Sequence, residues 1–78
     1  MYVGIKQVYP EDNYVLSVIF ENNEKRVFDV KPYIEIGRFK ELKEPAVFKA
    51  VRVSFDTIEW PNELDLDPEA VYQASVPA

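Results

Sequence analysis

Neither cysteine nor histidine occurs in the 78 residues of this chain. A domain this small buries only about 60% of the surface its unfolded form exposes, so it commonly leans on a disulfide, a structural metal or a partner subunit. Without cysteine there is no disulfide and no thiolate site, and without histidine the commonest zinc ligands are gone. The fold must rest on one thin apolar core. Association, with itself or with another protein, becomes the expected extra support. An apolar fraction of 47% with 14% aromatic residues supplies that core and argues against a disordered chain. One domain over residues 1–78 is expected, and no cofactor.

The local patterns predict an α+β fold: a small antiparallel sheet built from two or more hairpins, with strands near 3–9, 14–20, 25–30, 50–55 and 57–60. Tyr14 to Phe20 is an unbroken β-branched and aromatic run, and Val27 to Val30 returns after the polar Glu21-Asn22-Asn23-Glu24. A two-residue turn there would put Asp29 on the face of Leu16 and Val18, and Phe28 with Ser17 and Ile19. Either both faces are partly covered, or a bulge shifts the register. Ahead of this hairpin, Ile5 to Tyr9 reads as a strand closed by Pro10. Prolines and Gly37 leave room only for short helices within 32–49, one of them burying Phe39 and Leu42 and another opened by Pro45. In the second hairpin, a turn at Asp56-Thr57 would pair Phe55 with Ile58 and Val53 with Trp60 on one apolar face. A C-terminal helix over 68–75 is well specified: Asp67 as N-cap, Pro68 at N1, Glu69 near the positive end of the dipole, and Leu66 and Val71 at staple spacing.

Charge is segregated along the chain. Residues 1–24 sum to −3, residues 25–52 to +4 and residues 53–78 to −6, giving the net −5. An acidic molecule repels phosphate at long range, which argues against non-specific nucleic-acid binding by the whole surface. The basic middle (Lys25, Arg26, Lys31, Arg38, Lys40, Lys43) is the candidate for a partner or nucleic-acid contact, although neutralisation by the chain's own acids is the simpler reading. Glu59, Glu63, Asp65 and Glu69 are the candidate acidic face for a basic protein partner, since long-range charge speeds encounter.

Chemistry is hard to place here. The serines and threonine (Ser17, Ser54, Thr57, Ser75) have no histidine base and sit in no glycine-rich elbow, and two glycines cannot form a phosphate cradle. Carboxylate pairs are too common in an acidic chain to diagnose a glycosidase. Asp65, Asp67 and Glu69 alternate like the start of a calcium loop, but Ala70 and Val76 occupy the positions that need glycine and glutamate. No catalytic or metal site is assigned, and an enzyme is not expected. Trp60 is read as the centre of the core, and Asp29, if inward, as a hydrogen-bonded structural acid. No run of about 18 apolar residues is present, so no membrane partner is expected. Met1-Tyr2-Val3-Gly4 lacks the pattern of a signal peptide, and a cytoplasmic location is the default.

Taken in order, Tyr14, Leu16, Val18 and Phe20, then Val27-Phe28-Asp29-Val30, Gly37-x-Phe39-x-x-Leu42, Phe48, and Ile58-x-Trp60-Pro61-Asn62-x-x-Asp65-Leu66-x-Pro68-x-x-Val71-Tyr72 make a pattern that resembles the small bacterial family catalogued as domain of unknown function 2442. Two departures fall in turns: Glu63 where glycine often follows the asparagine, and Asn22-Asn23 where Asp-Gly is commoner. The resemblance implies a compact α+β domain, often alone and sometimes joined to a helix-turn-helix, in gene arrangements similar to toxin–antitoxin pairs. It implies no catalytic residues. The leading expectation is a small protein-interaction module, the antitoxin-like member of a two-protein pair, with a small basic protein or a second copy as partner. The alternatives are a regulatory nucleic-acid contact through residues 25–43 and, last, a small-ligand binder or carboxylate-based enzyme.

Overall fold

A computed structural model of the chain describes residues 3–78; Met1 and Tyr2, where the expected absence of a leader begins, lie outside them. In chain order, β1 (Ile5–Glu11), a 3-10 turn (Asp12–Tyr14), β2 (Val15–Phe20) and β3 (Lys25–Asp29) precede a 3-10 helix (Gly37–Lys43) and α1 (Pro45–Lys49). Then follow β4 (Arg52–Ser54), β5 (Thr57–Glu59), β6 (Asp65–Leu66), α2 (Pro68–Ala74) and β7 (Val76–Pro77). The strands make a four-stranded antiparallel sheet in the order β1-β2-β3-β7 and a three-stranded one in the order β4-β5-β6. The expected α+β class is the one observed.

The β2–β3 loop decides which face is inner. It has three residues, Glu21 to Asn23, closed by Phe20 N–H to the Glu24 carbonyl (3.0 Å) and Asn23 N–H to the Phe20 carbonyl (2.8 Å). Asn23 stands at φ 68, the left-handed residue that such loops require. The third residue shifts the register by one, so the bulged alternative is the one realised. Phe28 pairs with Leu16 on the inner face, while Asp29 pairs with Val15 and is exposed. Trp60-Pro61-Asn62-Glu63-Leu64 repeats the construction between β5 and β6. Trp60 N–H donates to the Leu64 carbonyl (2.8 Å), Glu63 N–H to the Trp60 carbonyl (3.0 Å), and Glu63 sits at φ 67.

Among the strand boundaries that differ from the sequence reading, two have a clear local cause. β1 continues through Pro10, which pairs with Leu16, because β1 is an edge strand where a missing N–H costs the ladder nothing. β2 starts at Val15 rather than Tyr14, because Asn13 (φ 63) and Tyr14 (φ 59) are both left-handed. Tyr14 is held there by its hydroxyl on the Lys43 carbonyl (2.5 Å) and by an edge-on contact with Phe48 at 5.2 Å between ring centres. Residues 31–36 form successive turns, and Gly37 (φ 50) opens the 3-10 helix rather than closing a helical turn.

The core lies between the two sheets and the short helices. Leu16, Val18, Phe20 and Phe28 from the large sheet meet Ile34, Leu42, Phe48, Val51, Ile58, Trp60, Leu64 and Val71. Trp60 is fully buried and its indole N–H donates to the Phe48 carbonyl (3.1 Å), tying the small sheet to α1. α2 begins as expected, with Pro68 in its first turn and the Asp67 carboxylate accepting the Glu69 N–H (3.0 Å). Its Tyr72 ring packs edge-on against Phe20, 5.0 Å between centres.

Candidate protein-interaction site

The β4–β5 hairpin has a two-residue turn, but at Phe55-Asp56 and not at Asp56-Thr57. Ser54 pairs with Thr57, Val53 with Ile58 and Arg52 with Glu59. The expected pairs Phe55–Ile58 and Val53–Trp60 are therefore displaced by two residues. A slip of two keeps every side chain on its original face, so the apolar alternation cannot tell these registers apart. The observed register buries Val51 and Ile58 with Trp60 and expels Phe55 into the turn.

Both turn residues are left-handed, Phe55 at φ 49 and Asp56 at φ 67, as a two-residue hairpin of the primed type demands. Asparagine and glycine suit such positions; a phenylalanine there is strained by about 1 kcal/mol. Phe55 is 98% exposed, so no burial offsets the strain. The turn itself is anchored. The Asp56 carbonyl accepts the Ile5 N–H (2.8 Å), and the neighbouring Gly4 carbonyl accepts the Glu21 N–H (2.8 Å). A side chain on Gly4 would meet Asp56 Cβ at 3.0 Å and Glu21 Cγ at 3.3 Å, so the Asp56 and Glu21 side chains close over the same glycine. An aromatic ring in solvent thus stands on a braced turn, next in sequence to Asp56.

Of the acidic residues singled out above, register brings Glu59 and Asp65 together as direct neighbours across β5 and β6. Glu59 is also paired with Arg52 (3.1 Å). Glu63 occupies the left-handed position of its loop and Glu69 the first turn of α2. Among the basic residues, Lys31 pairs with Asp29 (3.0 Å), Lys43 with Glu35 (2.9 Å), and Arg38 with Glu41 (3.6 Å) while also donating to the Asn62 carbonyl (2.6 Å). Lys25 and Lys40 are exposed and have no ion-pair partner within 4.0 Å among the described residues.

Arg26 is held most firmly. Its guanidinium pairs with Glu24, donates to the Ser75 hydroxyl (2.6 Å) and carbonyl (2.8 Å), and lies 4.4 Å from the centre of the Tyr72 ring. The Tyr72 hydroxyl donates to Glu24 (2.6 Å). That bond, then the Arg26 guanidinium, holds the Glu24 carboxyl below its ordinary range, and the same bond pushes Tyr72 up. Asp29 is lowered first by the Lys31 backbone N–H and then by the Lys31 ammonium.

A shallow cleft of about 230 Å³ lies between Glu11 to Tyr14 and α1, lined also by Pro45, Phe48 and Lys49. No helix among the described residues is long and apolar enough to cross a membrane. The model of the family described as "Protein of unknown function (DUF2442)" matches residues 5–77. The chain belongs to DUF2442. The match spans β1 to β7, so every strand, turn and helix described here lies within the DUF2442 region. No curated protein and no solved structure matches the chain. Sequence reasoning missed Phe55 as an exposed DUF2442 residue because, with the turn set at Asp56-Thr57, it was assigned to an apolar strand face.

Proposed function

We propose that this DUF2442 chain is a protein-interaction module whose anchor is Phe55, acting as the antitoxin-like member of a two-protein pair, with a small basic protein as its partner. The observation that carries this is a fully exposed phenylalanine held in a left-handed turn, where its backbone costs stability and its side chain buries nothing. Aromatic anchors inserted into a partner's pocket dominate many interfaces. Asp56, the neighbour of Phe55 in the turn, and Glu21, which meets Asp56 over Gly4, suit a pocket with a basic rim. The basic residues Arg26, Lys31, Arg38 and Lys43 are engaged by the chain's own acids, which lends no support to a phosphate-binding role. The cleft beside Tyr14 is smaller than the roughly 300–1,000 Å³ of most small-molecule sites, in keeping with a non-enzymatic role.

The test is a pull-down from the native cells with wild type and Phe55→Asn at two salt concentrations. Wild type should retain one small, basic, stoichiometric protein. Phe55→Asn should weaken it by about 2 kcal/mol or more, and raised salt should lower its on-rate. Equal retention by Phe55→Asn would overturn the assignment of the anchor.

A further inference from the structure

The large sheet has an outer face that nothing among the described residues packs onto as part of the core. Val15, Ile19 and Val27 are half-buried, yet they belong neither to the core nor to the side chains packed on it. Tyr9 (47% exposed) and Val76 (59%) lie in the open. Strand register arranges this face in three rows. Tyr9, Ser17, Val27 and Val76 form the central row across all four strands. Gln7, Ile19 and Lys25 form the row on one side, and Glu11, Val15 and Asp29 the row on the other. The face is apolar in the middle, basic at one edge and acidic at the other.

We infer that this face binds a second copy of the same chain, with the twofold axis lying along the central row. A face that packs on its own copy must do so about an axis in the plane of contact. An axis parallel to the strands would set Glu11 against the copy's Asp29, two like charges. An axis along the row Tyr9-Ser17-Val27-Val76 instead sets Lys25 against the copy's Asp29 and Ile19 against the copy's Val15. Val27 then meets its own counterpart. Lys25 has no ion-pair partner within 4.0 Å among the described residues, while Asp29 is shared with Lys31 and still half exposed. Charge complementarity therefore selects the second axis. Four strands at about 4.8 Å and four residues at about 3.4 Å make a patch roughly 15–20 Å on a side. That is less than the about 800 Å² per partner of a stable interface, so the dimer is a weak, reversible one.

Sedimentation equilibrium across a concentration series tests this, with circular dichroism checking that each variant folds. Wild type should pass from monomer to dimer. Lys25→Glu should weaken the dimer by about tenfold, and so should Asp29→Lys; the two together should restore most of the affinity, because the pair is exchanged rather than removed. A wild-type monomer at all concentrations up to about 1 mM overturns the proposal. So does a dimer that Lys25→Glu leaves unchanged, or one that the double exchange fails to restore; a different protein would then be the occupant of this face.

Discussion

Phe55→Asn should make this protein more stable. The ring is 98% exposed, so removing it gives up almost no buried area, and at about 25 cal/mol per Å² the lost burial is below about 0.1 kcal/mol. The backbone at φ 49 works the other way. A left-handed conformation costs an ordinary side chain roughly 1–2 kcal/mol, and asparagine much less. Asparagine also suits the first position of a primed two-residue turn. The hydrogen bond from Ile5 N–H to the Asp56 carbonyl is a backbone contact and survives the change. The net gain is about 1 kcal/mol, or about 4–8 °C in Tm for a domain of this size. Thermal and urea unfolding at one fixed protein concentration would read it. Phe55→Ala is the informative control, because alanine removes the ring and keeps the strain; it should leave Tm nearly unchanged. A neutral or destabilising Phe55→Asn, or an equal gain from Phe55→Ala, would refute the argument that strain resides in the backbone of this turn.

Acid unfolding should depend on Glu24. Its carboxyl is held below the ordinary 4.5, so its contribution is present above that pH and lost as pH falls through the lower folded value; Glu24→Gln should lower the urea midpoint at pH 7 and flatten the decline between pH 5 and 3. Tyr72 is raised by the same bond, so its contribution is present below pH 10 and lost at higher pH, a decline that Tyr72→Phe should abolish. Trp60→Phe should cost about 2–3 kcal/mol by circular dichroism in urea, from lost packing and the lost indole bond to the Phe48 carbonyl, which keeps the Val51 N–H (3.3 Å); a loss under about 1 kcal/mol would mean that the core closes around the smaller ring.

What could be read from the sequence was whatever depends on neighbours along the chain. The β2 and β3 runs, the proline-opened α1 and the Asp67 cap are local, and each has a side-chain reason at a fixed offset. Trp60 in the core followed from its size in a thin interior. Register was harder. For β2–β3 the outcome turned on one extra loop residue, and for β4–β5 on a slip of two to which alternation is blind. β6 and β7, two residues each, are too short to carry a period, and they form because tertiary partners are waiting. The family departures also gain a physical meaning. Asn23 and Glu63 are the left-handed residues of two matching three-residue loops, so glycine at these places would relieve conformation without touching packing.

The clasp formed by β7 makes the edge of β3 depend on residues made well after it. Arg26 meets Ser75 across a sequence separation of 49 residues, and the Ala78 N–H closes on the Lys25 carbonyl (3.0 Å). During synthesis at roughly 5–20 residues per second, Ser75 is made roughly 2–10 s after Arg26. Over that interval the nascent chain carries β3 with an unpaired edge and a cation without its cradle. A product released short of Ser75 would keep both defects, which marks it for proteolysis. Only the closed clasp hides them.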